Sequence, residues 1–280
     1  MISDILLTVD FDRTLTAPDS TIPQRNIEAI RYFIENGGSF TVNTGRSINT
    51  MGDLLDTLPV NVPFLLYNGS AAYDHGILLN CQEIPLDIWQ TLEEIHQEFP
   101  EMNIEINSEG PHYLYKTTQL YRDFCDALGW KHRPAVPGTQ ITPFLKVAIF
   151  GPVREMNVSH FYTGSREEIA RLDYLEQWLN EKYAGKISVF RSAPRIIDFH
   201  AYGVNKGVAA RTLQKQLGKK ILVCVGDAEN DILMLDNADH AFVPADAILA
   251  DRYKNVCECA KGAVADVIYK KIPEILHIQP

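Results

Sequence analysis

Two nearly unbroken apolar runs, ILLTV at residues 5–9 and ILVCV at residues 221–225, limit what this chain can become. A strand with one face in water alternates apolar and polar residues, whereas a run without alternation has both faces covered. Helices on both sides of a parallel sheet are the usual covering, and the flanking sequence supplies them. In IPQRNIEAIRYFIENGG, Ile27, Ile30 and Ile34 recur at helical spacing and Gly37-Gly38 ends the helix. SFTVNTGRS is a second strand that stops at Thr44-Gly45, and VPFLLYNGSAAYDHGILL reads as a third strand and a hairpin. Further on, NKGVAARTLQKQLG is a helix with Ala209, Leu213 and Leu217 on one face. AENDILMLDNA opens another helix, HAFVP is a short strand and KGAVADVIYKKI is a last helix. This alternation predicts an α/β fold class with a parallel sheet.

The middle of the chain is patterned differently. LDIWQTLEEIHQEF is an amphipathic helix, and MNIEINSEGPHYLYK alternates around a Ser-Glu-Gly-Pro turn, as an antiparallel hairpin with one wet face would. LYRDFCDALGW is a short helix, FLKVAIFG a strand, and Ser165 with Glu168 forms a capping box for a further helix. KISVFRS closes the block. The 280 residues suit about two domains. The expected division is a core of residues 1–83 and 191–280, interrupted by an α+β insert of residues 84–190.

A net charge of −10 argues against a broad nucleic-acid or anionic-membrane surface. No apolar run approaches the 18 or so residues of a membrane span, and the N-terminus starts in a strand-like segment without a secretory pattern. Five scattered cysteines fit a reducing compartment, so a cytoplasmic location is expected. The 257–259 pair CEC lacks a second ligand cluster for zinc.

Ligands of open parallel sheets bind beyond the carboxyl ends of the strands. Polar clusters stand at such ends: Asp10 and Asp12 after the first strand, Thr44-Gly45-Arg46 after the second, and Asp227 with Asp231 after ILVCVG. Lys206 opens a helix. Asp10, Asp227 and Asp231 are hard oxygen ligands of the kind Mg²⁺ takes. A carboxylate approaching a phosphate meets repulsion of roughly 4 kcal/mol per charge pair at about 4 Å and an effective dielectric of 20. A divalent cation and Lys206 would offset that, Thr44 could donate to a phosphoryl oxygen, and Asp12 could protonate a leaving alcohol. Asp10 would then be a covalent nucleophile.

DFDRT resembles the DxDxT motif of the haloacid dehalogenase-like hydrolases, and NTGR, NKG and GDAEND resemble that superfamily's later motifs in the right order. The insert resembles the type IIB cap of the Cof-like subgroup, as do YNGSAAYD, GVNKG and GAVADVI, so the resemblance covers nearly the whole chain. It implies a Rossmann-like core and an aspartyl-phosphate intermediate on Asp10, with Asp12 as acid and base. Mg²⁺ would be held by Asp10, the backbone carbonyl of Asp12 and Asp227, with Asp231 in support. Thr44 and Lys206 would bind the phosphoryl group, Asn230 would lie near it, Asn68-Gly69 would form a turn beside the site, and Arg46 would reach the substrate. Two departures stand out: Arg13 replaces a common glycine, and VPADA at 243–247 replaces a small-residue segment.

The expected activity is Mg²⁺-dependent hydrolysis of a small phosphorylated metabolite, a sugar phosphate being the expected kind, by a monomer or weak dimer whose cap closes over the substrate. A phosphotransferase or mutase on the same Asp10, and a non-catalytic metabolite-binding protein, are the alternatives. A dehalogenase would have no use for an acid at Asp12. His112, Tyr113 and Tyr115 are expected in sheet packing, His200 in packing near the hinge, and Arg191 and Arg195 in salt bridges.

Overall fold

The computed structural model describes residues 1–154 and 163–277. Its strands, in chain order, are β1 (Ile5–Val9), β2 (Ser39–Val42), β3 (Phe64–Leu66), β4 (Ala71–Asp74), β5 (Ile77–Cys81), β6 (Asn103–Asn107), β7 (His112–Tyr115), β8 (His132–Pro134), β9 (Lys146–Phe150), β10 (Ile187–Ala193), β11 (Ile196–Ala201), β12 (Ile221–Val225), β13 (His240–Val243) and β14 (Lys254–Asn255). They fall into two compact units. The first comprises Met1–Gly45, Asp53–Asn80 and Asn205–Pro280; the second comprises Arg46–Gly52 and Cys81–Val204.

In the first unit a parallel sheet runs β14-β13-β12-β1-β2. A parallel bridge between Asn43 and Leu65 sets β3 beside β2, and β3, β4 and β5 form a three-stranded sheet. All five residues of β1 are buried, as its lack of alternation requires. Each large aliphatic side chain buried there contributes about 1.5–3 kcal/mol. After β1 the chain adds strands on one side; after the second unit it returns to β12 and adds them on the other. The strand order therefore reverses between β1 and β12, where the two carboxyl ends leave a crevice.

The Gln24–Glu35 helix buries Asn26, Ala29, Ile30 and Phe33, leaving Ile27 and Ile34 at the margin of the expected face. The rotation follows from Asn26, whose amide donates to Leu15 O at 2.9 Å and accepts from Ala265 N at 2.9 Å. On the C-terminal side, Ala210 and Leu213 of the Lys206–Gln216 helix pack with Leu222, Cys224 and Met234.

The second unit is built on a six-stranded sheet ordered β10-β11-β9-β6-β7-β8. One face, with Ile104, Ile106, Val147, Ile149, Ile197 and Phe199, packs on Leu92 and Ile95 of one helix and Leu172, Leu175 and Leu179 of another. Ser165 caps the latter, accepting from Glu168 N at 3.2 Å while Glu168 accepts from Ser165 N at 2.9 Å. Arg191 pairs with Asp173 and Glu176, and buried Arg195 with Glu168.

Two expectations need correction. The 103–115 hairpin has no wet face along β6: Asn103, Glu105 and Asn107 are buried. Alternation marks a polar face, and here internal partners replace water on it. Asn107 and Tyr121 donate to Glu105 at 2.7 and 2.9 Å, and Lys146 to Asp198 at 3.2 Å. The second boundary also shifts. Strands β10 and β11 form one antiparallel ribbon, and β11 pairs with β9, so residues 191–204 stay with the insert. Segment Arg46–Gly52 joins that unit too.

His200 lies on the same polar face, fully buried against Phe190. Burial pushes its pKa down to about 4. The unfolded chain, with an ordinary histidine near 6.5, then binds the extra proton between those values. The stability His200 leaves intact above pH 6.5 is lost as pH falls toward 4, by about 3 kcal/mol. Urea midpoints of the wild type and His200→Gln should diverge over that window, the variant keeping more of its stability in acid. Parallel curves would contradict it. Among the described residues no helix is long and apolar enough to cross a membrane.

Candidate active site

Strand β1 delivers Asp10 to the crevice, where its backbone N–H continues the ladder by donating to Val225 O at 2.9 Å. The chain then closes a wide turn, Leu15 N donating to Asp10 O at 3.2 Å and Thr16 N to Phe11 O at 3.0 Å. Within it Asp12 is extended and half-buried, and exposed Arg13 sits at φ 58°. A β-carbon in that region costs roughly 1–2 kcal/mol, which is a physical reason for glycine there.

Strand β12 ends one residue before Gly226 and two before Asp227. A Cβ on Gly226 would lie 2.6 Å from Asp231, so only glycine lets that carboxylate fold back. Asp231 Oδ2 accepts from Asp227 N at 3.0 Å and Ala228 N at 3.2 Å. Lys206 is the first residue of a helix capped by Asn205, whose side chain accepts from Val208 N at 2.9 Å. Its Nζ is buried 2.6 Å from Asp10 Oδ1 and 2.7 Å from Asp231 Oδ1.

Four of the anticipated residues therefore converge. One oxygen each of Asp10, Asp227 and Asp231 lies within 4.8 Å of the others. Burial raises the Asp10 pKa, against the pull of Lys206 and with help from Asp231 and Asp12, to about 7. Burial, then Asp10 and Asp231, push Asp227 well above the carboxylate range. Burial works against the Lys206 charge, but Asp10 and Asp231 outweigh it and hold its pKa above that of a free lysine. Three buried carboxylates facing one ammonium form an all-oxygen site short of positive charge. That donor set fits Mg²⁺.

A second group surrounds the ends of β2 and β3. Thr44 N donates to Leu65 O and Asn68 N to Thr44 O, both at 2.9 Å, and Asn230 Nδ2 donates to Asn68 Oδ1 at 3.3 Å. Tyr67, Asn68 and Gly69 take φ values of 53°, 54° and 92°, a run of left-handed residues that only outside contacts can hold. A Cβ on Gly69 would lie 2.7 Å from Ala209 Cβ, and one on Gly45 would lie 2.9 Å from Asn68 Oδ1. Arg46 belongs to the second unit, where its Nη1 donates to Thr50 O at 3.4 Å.

Two residues without an expected role join the site. Thr14 Oγ1 donates to Asp227 Oδ1 at 3.1 Å, and Asn43 Nδ2 donates to Lys206 O at 2.8 Å. Both stand inside the quoted DFDRT and NTGR segments, so the signal was present. In VPADA, Asp246 Oδ1 accepts from Cys259 N at 2.9 Å, which pins that loop.

Carboxylates from two neighbouring parallel strands, an ammonium at a helix start and a second unit inserted in the chain define an acid-rich α/β core with a cap. A sequence profile described as haloacid dehalogenase-like hydrolase matches residues 7–267, and the chain belongs to that family. An HMP-PP phosphatase of Serratia proteamaculans (strain 568) is 25% identical, covering 93% of this chain and 92% of its own. Among solved structures, a haloacid dehalogenase-like hydrolase from Bacteroides thetaiotaomicron superposes with a TM-score of 0.76 at 20% identity, covering 95% of this chain and 98% of that one. A HAD subclass IIB sugar phosphatase superposes at 0.73 with 18% identity, covering 98% and 99%.

Proposed function

We propose that this protein is a Mg²⁺-dependent phosphatase of small phosphorylated metabolites, working through an aspartyl-phosphate on Asp10. The convergence of Asp10, Asp227 and Asp231 on buried Lys206 carries this reading. The relatives named for HMP-PP and sugar phosphates support the substrate class.

Bound Mg²⁺, held by Asp10, the Asp12 carbonyl and Asp227 with Asp231 in support, would supply charge neutralisation for a phosphate dianion. The chain's own groups do the rest. An oxygen of Asp10 attacks phosphorus and the bond from phosphorus to the leaving oxygen breaks. Asp12 gives that oxygen its proton, so the alcohol departs neutral. Asp12, now a carboxylate, takes a proton from the water that attacks the acyl phosphate, and inorganic phosphate leaves with Asp10 restored. A relay of this kind is worth about 10²–10⁴ in rate. Lys206 and Thr44 hold phosphoryl oxygens, and Asn68 with Asn230 keeps the Thr44 turn in place. Arg46 binds substrate oxygens.

Phosphate release from a panel of sugar phosphates, nucleotides and p-nitrophenyl phosphate tests this. Turnover should require Mg²⁺, fall more than about 100-fold in EDTA and return when Mg²⁺ is restored. Turnover indifferent to EDTA would overturn the metal assignment. Isomeric products instead of free phosphate would point to a mutase.

A further inference from the structure

We propose that His112 and Glu105 are positioning residues for Arg46, acting through Ser47. This rests on the reading of Arg46 as a substrate contact. Arg46–Gly52 lies in sequence between two strands of the first unit, yet it belongs to the second. The chain changes unit at the Gly45–Arg46 bond, immediately after Thr44-Gly45.

The segment holds a single helical turn, Ile48–Met51. A four-residue helix has no stability of its own, because its nucleus fixes more dihedrals than its hydrogen bonds repay. What holds it is visible at Ser47. Its hydroxyl accepts from Thr50 N at 3.1 Å and lies 3.2 Å from Thr50 Oγ1, while Ser47 N donates to Thr50 Oγ1 at 3.0 Å. The same hydroxyl is 2.8 Å from His112 Nε2. His112 Nδ1 in turn is 3.0 Å from Glu105 Oε1.

All three side chains are buried. Burial would raise the Glu105 pKa, but His112, Asn107 and Lys146 outweigh it and hold it at about 2. Glu105 is therefore a carboxylate, set against the His112 ring by charge and proximity. The ring is also fixed by its own backbone, His112 N donating to Lys131 O at 2.8 Å, and by Trp130 packed edge-on at 5.5 Å. Asn49 Nδ2 reaches the same Lys131 O at 2.9 Å.

The contacts run from Glu105 to His112 to Ser47, then to the helical turn whose Thr50 carbonyl accepts from Arg46. A serine, a histidine and a carboxylate in this order suggest a nucleophile. Ser47 is 2% exposed and capped onto Thr50 N, so its hydroxyl is an anchor. Displacing a binding group by about 1 Å is enough to cost activity, so loosening this anchor reaches the substrate through Arg46.

Kinetics with p-nitrophenyl phosphate in Mg²⁺ test the coupling by a double-mutant cycle. Arg46→Ala should raise KM about tenfold with kcat within about twofold. Ser47→Ala and His112→Ala should raise KM about three- to fivefold in the same way. Ser47→Thr, which keeps the hydroxyl and the cap, should match the wild type. Arg46→Ala combined with either should equal Arg46→Ala alone, because the anchor then has nothing left to position. If Arg46→Ala raises KM while Ser47→Ala and His112→Ala do not, or if the doubles are additive, the positioning role is overturned and the Arg46 contact stands. If Arg46→Ala leaves KM unchanged, both fall. Should His112→Ala fail to fold, the Ser47→Ala and Ser47→Thr pair decides alone.

Discussion

Asp10→Asn is expected to lower kcat for p-nitrophenyl phosphate by at least about 10⁴-fold while making the metal-free protein more stable. The two effects have one origin. The strand that carries Asp10 is buried on both faces, and the carboxylate at its end sits 6% exposed beside two other carboxylates. Lys206 compensates only part of that charge, so the Asp10 pKa rises to about 7. A carboxyl with a raised pKa in the fold binds its proton more tightly there than in the unfolded chain. Its contribution is present in acid and is lost as pH climbs from the ordinary carboxylate range through 7. At pH 8 in EDTA the loss amounts to a few kcal/mol, and asparagine, which cannot ionise, avoids it. Lys206 keeps Asp231 as a partner in the variant. Thermal melts in EDTA at pH 8 and at pH 5 check the sign, with the gain larger at pH 8. A variant that still turned over substrate would end the covalent mechanism. A variant less stable than wild type at pH 8 would end the electrostatic account.

The same strand explains why the site was so legible. An unbroken apolar run allows one environment, and the first carboxylate after it has one place to go, the end of a buried parallel strand. Asp10 and Asp227 are both of this kind. Lys206 needed the further inference that NKG opens a helix, which its Asn205 cap confirms. The insert was harder. Alternation in NIEIN reports that one face is polar, but water and a Tyr121–Glu105–His112 network satisfy a polar face equally well, and spacing along one strand does not distinguish them. Segment 46–52 is contiguous with core strands in sequence, whereas its anchor, His112, is 65 residues away from Ser47. The late boundary slipped because β10 turns into β11 through Pro194 and Arg195, without a glycine to mark the hairpin. In each case a contact between distant residues decided the outcome, and a local pattern carries no record of it.

Lys206→Met should be the most destabilising single change in the site, costing about 3–5 kcal/mol at pH 8 in the absence of metal. Methionine keeps most of the volume, so the loss measures charge rather than a cavity. Lys206 Nζ is within 2.7 Å of two buried carboxylates, and its removal leaves Asp10, Asp227 and Asp231 without that cation. Asp10 and Asp227, whose pKa values are already raised, respond by holding protons more tightly, so the penalty should shrink as pH falls from 8 to 5 and neutral carboxyls replace the missing ammonium. Mg²⁺ should restore part of the stability, because a divalent ion relieves the same repulsion, and the rise in melting temperature on adding Mg²⁺ should be larger in the variant than in the wild type. Turnover should not recover with it. In the proposed reaction Lys206 also holds a phosphoryl oxygen, and loss of such a charge-stabilising donor costs about 10²–10³ in kcat. Denaturant titrations at both pH values, with and without Mg²⁺, separate the cases. A penalty independent of pH and of Mg²⁺ would mean that Lys206 acts by packing alone. A penalty that disappears with Mg²⁺ while kcat stays low would assign its charge two tasks, one in the resting site and one on the phosphate.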